Sequence, residues 1–319
     1  VGTTVLLAGC SARDWETKLK FGWPTGVTKQ ADRMRTLWTW SSVTALIVGA
    51  ITWGLIFWAC ARYRKKDDVL PKQMKYHLPI EIAYTIAPFL VIAGLFYYTA
   101  VVETYVDKLS AKPDTIVQVN AFKWNWQFEY PAKTYAGTNP NYKDHAVSTV
   151  GSQNEIPVLV LPRGQRVQII EASVDVVHSF WVPDFLFKRD VIPYGNGDEG
   201  TKADEQSGLP EVPASGLPNP TSLSRTKSVH NNRFEITATS NGHFVGHCAE
   251  LCGTYHSQMN FEVRVVDPAQ YTKYLDALVV IGPTDPARQS KALRAIGDDA
   301  YATTTHPFNT DRSARSGSN

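Results

Sequence analysis

The densest chemistry in the chain lies in one short run, Cys248-Ala-Glu-Leu-Cys252-Gly-Thr-Tyr-His256-Ser-Gln-Met259. Two thiols, an imidazole and a thioether are the soft ligands that copper needs for electron transfer, held so that little moves as the charge changes. A second imidazole, His178 in Asp175-Val-Val-His178-Ser-Phe-Trp, follows a strand-like run and can reach the same pocket from a neighbouring loop. Gly246 and Gly253 flank the cysteines and permit tight backbone turns around an ion. A single blue copper needs one thiolate, so the second points to two metals sharing bridging sulfurs. Other chemistries stay open: a disulfide or redox pair, or zinc held by the two cysteines with His247 and His256. Against them, a disulfide has no use for a neighbouring His and Met, and zinc does not recruit Met.

Four further residues stand out by type and place. Trp124 and Trp126 lie two apart in a β-branched, aromatic run and, on one strand, would face the same way. Glu81 sits at the edge of a long apolar segment, where an ionisable group is costly without water or a partner and is a functional candidate by default. Cys10 closes Val5-Leu-Leu-Ala-Gly-Cys10, which resembles the lipobox of bacterial lipoprotein signals. That likeness implies lipidation at Cys10 and a signal-peptide remnant over 1–9. Four cysteines in 319 residues are too few for a disulfide-built scaffold. A net charge of +2, with no basic run outside one membrane-flanking loop, excludes nucleic acid as a partner.

These residues need elements to position them. From Leu37 to Ala61 no residue is charged, and the run is long enough to cross a hydrocarbon core of roughly 30 Å as a helix. Trp38 and Trp40 at one end and Trp58 at the other suit the two interfacial belts. A second span is expected over 80–104, containing Glu81 and Pro88. The loop 62–79 carries Arg62, Arg64, Lys65, Lys66, Lys72 and Lys75 and is therefore cytoplasmic, which puts the 10–36 segment and the C-terminal region outside. Beyond Lys108 the period changes. Short runs at Thr115–Tyr130, Ile156–Leu161, Arg166–Ile170, Arg233–Thr239, His243–Val245 and Asn260–Val266 predict a β-sandwich or barrel over 108–282. Within it, 194–231 is rich in Gly, Pro, Ser and charge and reads as a surface insertion. The stretch 283–319 reads as a polar, extended or disordered arm with a short helix-like segment, Ala287–Ile296.

Over most of its length the sequence resembles cytochrome c oxidase subunit II. The likeness rests on the hairpin, Trp124-Asn-Trp126-Gln-Phe-Glu-Tyr130, Asp175-Val-Val-His178-Ser-Phe-Trp-Val-Pro183, Lys188-Arg-Asp190-Val-Ile-Pro193 and the Cys248–Met259 cluster, in that order. It implies a two-helix transmembrane hairpin plus an all-β cupredoxin domain (a Greek-key barrel or sandwich), on the outer side of a bacterial cell membrane and holding the two coppers of a CuA centre. Cys248 and Cys252 would bridge the coppers, His178 and His256 would each cap one, Met259 would ligate one and the Glu250 carbonyl the other. The Glu250 side chain would hold Mg or Mn at the border with subunit I, with Asp190 nearby but not a ligand. Trp124 would receive electrons where cytochrome c docks, and Glu81 would stand at the cytoplasmic mouth of a proton channel (the K pathway). Partners would be oxidase subunits I and III, cytochrome c and membrane lipid. Oxygen reduction to water, coupled to proton pumping, would occur in subunit I.

The chain departs from the family at Tyr194–His230, where an insertion separates the Asp190-Val-Ile-Pro193 motif from the next strand. With the lipobox and the polar tail, it suggests a cytochrome c tethered to the membrane or fused to a bc1-type complex in a supercomplex. Asp175, Asp198, Glu199, Asp204 and Glu205 are candidates to face a basic haem edge. Three other readings compete. A quinol-oxidase counterpart would lack the copper ligands, and nitrous oxide reductase shares the CuA domain but not the hairpin. A copper-delivery or structural protein would lack mixed-valence copper.

Overall fold

A computed structural model describes residues 22–65, 68–70, 73–131, 133–134, 137–138, 147–152, 155–193 and 232–306. Cys10 and the 1–9 segment, Lys66, Lys72, the 194–231 insertion with Asp198, Glu199, Asp204 and Glu205, and residues 307–319 lie outside the described residues. The chain divides into a helical unit, Val1–Thr25 with Arg33–Tyr105, and a β unit, Gly26–Asp32 with Val106–Asn319.

Helix α1 runs over Lys29–Arg62 and α2 over Leu78–Val106. Both are long and apolar enough to cross a membrane. At about 1.5 Å per residue, the 34 residues of α1 reach about 50 Å, which exceeds the hydrocarbon core. The expected spans lie inside these helices. The apolar pattern marks only the part suited to lipid, whereas the polar flank Lys29–Thr36 continues the helix beyond it. The hydroxyls of Thr39, Thr44, Thr52, Thr99 and Thr104 each donate to a carbonyl one turn back, which satisfies them within an apolar surround. Leu55, Phe57, Phe89, Ile92 and Phe96 are exposed along the helices.

In the β unit, β1 (Thr115–Phe122), β2 (Asn125–Tyr130), a short β3–β4 pair (Lys133–Thr134 and Gly137–Thr138), β5 (Val147–Val150), β6 (Val158–Pro162), β7 (Arg166–Ser173), β8 (His178–Val182), β9 (Phe187–Val191), β10 (Arg233–Thr237), β11 (Gly242–Cys248) and β12 (Asn260–Val266) follow in order. They form two five-stranded sheets, β10-β7-β1-β2-β5 and β6-β12-β11-β8-β9. The chain passes repeatedly from one sheet to the other, in the manner of a Greek-key sandwich. Trp126, Phe128, Phe180, Phe234 and Phe261 fill the space between, with Phe180 stacked on Phe261 at 4.8 Å.

Three expectations change here. Thr115–Tyr130 is two antiparallel strands joined at Lys123–Trp124, with Phe122 paired to Asn125, so Trp124 sits in a turn and alternation along a strand does not orient it. The Lys123 N–H that begins this turn donates to Asp175 at 2.8 Å. His178 opens strand β8 and is not in a loop. The region from 283 is no extended arm within the described residues. Helix α3 (Pro268–Ile281), capped by Asp267 with Gln270, lays Tyr271 and Tyr274 against Tyr130. Helix α4 (Arg288–Ala295) docks behind it. Arg288 donates to the Leu278 and Ser148 carbonyls, and Gln289 bonds to Val158 N–H and the Ile156 carbonyl. Buried Arg264 then donates to the carbonyls of Asp299 and Tyr301, while Glu262 accepts from Thr303 and Thr304. Polar side chains satisfied by backbone, together with buried Ala292, Leu293 and Ile296, hold this region, so its largely polar composition gives little sign of burial.

Candidate metal centre

Strand β11 ends at Cys248, β12 begins at Asn260, and the loop between them carries every other ligand of the sequence cluster. The loop is tied at both ends: Cys248 N–H donates to the Met259 carbonyl at 3.0 Å, and Ala249 N–H to the Ser179 carbonyl of β8 at 3.0 Å. Trp126, buried beneath, donates its indole N–H to that same Met259 carbonyl at 3.2 Å. Gly246 does not make a turn. It lies on β11 opposite Phe261, and an added Cβ would stand 2.2 Å from that ring. Gly253 does turn the loop, at φ +117°, and lies against Trp124.

The ligands converge. Cys248 Sγ and Cys252 Sγ are 3.7 Å apart, far beyond the ~2.05 Å of a disulfide bond. His178 Nδ1 lies 3.9 Å from Cys248 Sγ and His256 Nδ1 3.6 Å from Cys252 Sγ. Met259 Sδ is 3.8 Å from Cys252 Sγ, and the Glu250 carbonyl accepts from the Cys248 thiol at 3.3 Å. All six positions expected from the sequence therefore face one small volume. His247 does not. One residue before Cys248 on β11, it points to the other side, against Asn260 Oδ1 at 2.7 Å and the Trp181 ring. This removes His247 from the proposed zinc set.

The electrostatics suit a cation. Burial opposes ionisation of Cys248, but His178, the backbone at Glu250 and Ser179, and His256 outweigh it and hold the thiol below its usual range. Burial, and then the charge of Cys248, push Cys252 up. Without a cation the pair therefore favours a single negative charge; a bound metal favours both thiolates. Burial likewise works against the Asp175 carboxylate, but hydrogen bonds from His178, Lys123 N–H and Val176 N–H bring it below the usual carboxylate range. With Asp175 ionised and acceptor-only at 2.8 Å from His178 Nε2, Nε2 keeps its proton, and it is Nδ1, facing Cys248, that would give up a proton and offer its lone pair to a metal. A set of two thiols, two Nδ1 atoms, a thioether and a carbonyl fits copper.

Trp124 donates its indole N–H to the Cys252 carbonyl at 3.2 Å, and Tyr255 meets its ring edge-to-face at 4.9 Å. Neither the inward role of Asp175 nor the Tyr255 contact was read from the sequence; the Asp-x-x-His spacing was the available signal for the first. Asp190 pairs with Lys188 at 3.0 Å. The Glu250 carboxylate joins no three-ligand group among the described residues. A second such group, His243 with Asp298 and Asp299, has Arg264 3.2 Å from Asp298 and reads as an ion-pair cluster. In the helical unit, Glu81 accepts the His77 N–H at 2.8 Å at the start of α2.

No family model matches the chain. It is 41% identical to the probable cytochrome c oxidase subunit 2 of Nocardia farcinica, across 98% of this chain and 87% of that one. Identity is 39% to cytochrome c oxidase subunit 2 of Mycobacterium tuberculosis, across 97% and 86%, and 34% to that of Corynebacterium diphtheriae, across 98% and 91%. Among solved structures, the periplasmic domain of subunit II of cytochrome oxidase from Bradyrhizobium japonicum is similar at 21% identity and a TM-score of 0.33, covering 52% of this chain and 93% of that one.

Proposed function

The chain belongs to the cytochrome c oxidase subunit 2 family, and we propose that it is the electron-input subunit of a bacterial respiratory oxidase. In this reading it takes electrons from cytochrome c at a CuA centre and passes them to haem in subunit I, where oxygen is reduced to water with proton pumping. When bound, the copper pair supplies a one-electron couple with little ligand rearrangement. The observation that carries the reading is the pairing of each imidazole Nδ1 with a different cysteine sulfur, 3.9 and 3.6 Å away.

The residues divide the work. Cys248 and Cys252, with His178, His256, Met259 and the Glu250 carbonyl, would hold the copper pair, and the buried Trp126 indole supports the Met259 backbone beneath them. Trp124 is where electrons arrive, because its ring N–H reaches the backbone of a bridging cysteine. The Glu250 carboxylate would hold Mg or Mn, with remaining ligands from subunit I. Glu81 stands at the mouth of a proton route. The hairpin crosses the membrane with loop 62–79 in the cytoplasm and the β unit outside, and Cys10 carries lipid. Subunits I and III and a cytochrome c, tethered or fused to a bc1-type complex, are the partners, with 194–231 as a contact.

Metal analysis with electron paramagnetic resonance of the purified oxidase containing this chain tests the reading. Two coppers per chain sharing one unpaired electron are expected; one copper, or none, would overturn it.

A further inference from the structure

The contacts around the centre close into a ring, and Asp175 is the member that joins its two halves. On one side, Asp175 Oδ1 meets His178 Nε2 at 2.8 Å, while the Nδ1 of the same imidazole faces Cys248. On the other, Asp175 Oδ2 accepts the Lys123 N–H at 2.8 Å, at the turn that presents Trp124. Trp124 then returns to the cluster through the Cys252 carbonyl, and Cys252 Sγ faces Cys248 Sγ. Asp175 is itself held: its Oδ1 also accepts Val176 N–H at 2.7 Å, its N–H donates to Ser173 Oγ at 3.4 Å, and Val174 N–H reaches the Ala121 carbonyl of β1 at 3.2 Å. Both carboxylate oxygens are thus spent inward, although the side chain is 28% exposed.

We infer that Asp175 is a positioning residue that locks the metal ligand His178 and the turn carrying Trp124 into one rigid piece, so that the aromatic ring and the ligand set keep a constant separation. This rests on the reading of His178 as a copper ligand. The carboxylate is required for its shape as well as its charge. Asn presents one acceptor where two are used, and Glu displaces the group by one methylene, about 1.5 Å. A surface acid that merely attracts a basic partner would tolerate Glu and would not tolerate Asn.

The test compares Asp175→Glu, Asp175→Asn and Asp175→Ala in the purified oxidase, loaded with copper and after copper removal. Three quantities are read: amide hydrogen exchange of the peptide containing Lys123, retention of copper against a chelator, and the copper hyperfine pattern in electron paramagnetic resonance. Asp175→Glu and Asp175→Ala are expected to exchange the Lys123 amide about tenfold faster or more. They should also lose copper about 10- to 100-fold more readily and alter the hyperfine pattern. Asp175→Asn, which keeps the shape and one acceptor, should fall between them and the parent, which separates lost positioning from failure to fold. The inference is overturned if Asp175→Glu matches the parent in all three readouts while Asn and Ala only weaken donor binding in a salt-dependent way. If the parent chain holds no copper pair, the reading of His178 fails. The amide arm then still judges the strut, and an unchanged Lys123 amide in Asp175→Glu would refute it.

Discussion

The indole N–H of Trp124 donates to the carbonyl oxygen of Cys252 at 3.2 Å, so a half-buried ring is bonded to the backbone of a candidate ligand. Tyr255 meets that ring edge-to-face at 4.9 Å and braces it from the loop side. Such a pair contributes about 0.5–1.5 kcal/mol beyond area burial. Replacing Trp124 with Leu should slow electron uptake from cytochrome c by about 100-fold with copper content unchanged, a cost in the range known for misplaced reacting groups. Tyr255→Leu should give a smaller loss, which Tyr255→Phe restores. Stopped-flow reduction measures both, and unchanged uptake in Trp124→Leu would remove that ring from the path.

Glu81 caps the start of α2 by accepting the His77 N–H at 2.8 Å. A cap and a proton-route acid make different demands. Asn or Gln can accept the N–H, but neither carries a proton through physiological pH. Glu81→Ala and Glu81→Gln should therefore both slow reduction of the oxygen-binding haem in the assembled oxidase. Slowing in Ala alone would reduce Glu81 to a helix cap.

Gly246 leaves room for a ring. A Cβ there would lie 2.2 Å from Phe261 Cε2, inside the core that carries the ligand loop. Gly246→Ala should cost about 1–3 kcal/mol through overpacking. It should also loosen the copper site, because β11 and β12 are the two arms of that loop. Thermal unfolding and copper retention report the two effects separately.

Glu129 is buried on β2 with Oε1 lacking a hydrogen-bond partner, and burial raises its carboxyl from 4.5 to about 7. At this group the folded state therefore binds more protons than the unfolded state between these two values, so the contribution of Glu129 to stability is greatest below about 4.5 and is lost as pH rises through about 7. The loss is about 3 kcal/mol at most. Denaturant unfolding at a series of pH values should show this slope in the parent chain and a flatter one in Glu129→Gln. An identical slope in the two would exclude Glu129 as its source.

Arg264 and Glu262 are both buried and meet at 2.8 Å, and between them they hold residues 299–304. Breaking a buried pair from one side costs about 3–5 kcal/mol, because the remaining charge loses its partner. Arg264→Met should lower the melting temperature and expose the segment after Asp298 to limited proteolysis. Replacing Glu262 with Leu as well should recover part of the stability. No recovery in the double variant would place the loss in the contacts to residues 299–304, those of Arg264 to Asp299 and Tyr301 and those of Glu262 to Thr303 and Thr304.

The sequence by itself determined the kinds of ligand and their spacing, since soft donors at Cys248, Cys252, His256 and Met259 lie within a loop's reach of one another. It also determined the two long helices, because an uninterrupted apolar run has few other uses. The strands that read well, Arg233–Thr237 and Asn260–Val266, are those in which β-branched or aromatic residues alternate with polar ones. Only the tertiary structure decided the rest. It parted Trp124 from Trp126 by a turn, because the Asp175 carboxylate, 52 residues away, is there to accept the Lys123 N–H. It put His247 outside the cluster and His178 inside, a choice made by strand register that composition does not record. It folded residues 283–306 onto the β unit by burying Ala292, Leu293 and Ile296 beside polar side chains paired with backbone, a docking that a short helix-like run does not reveal by itself. Local pattern reports what a residue can do, and contacts between residues distant in sequence select which of those things it does.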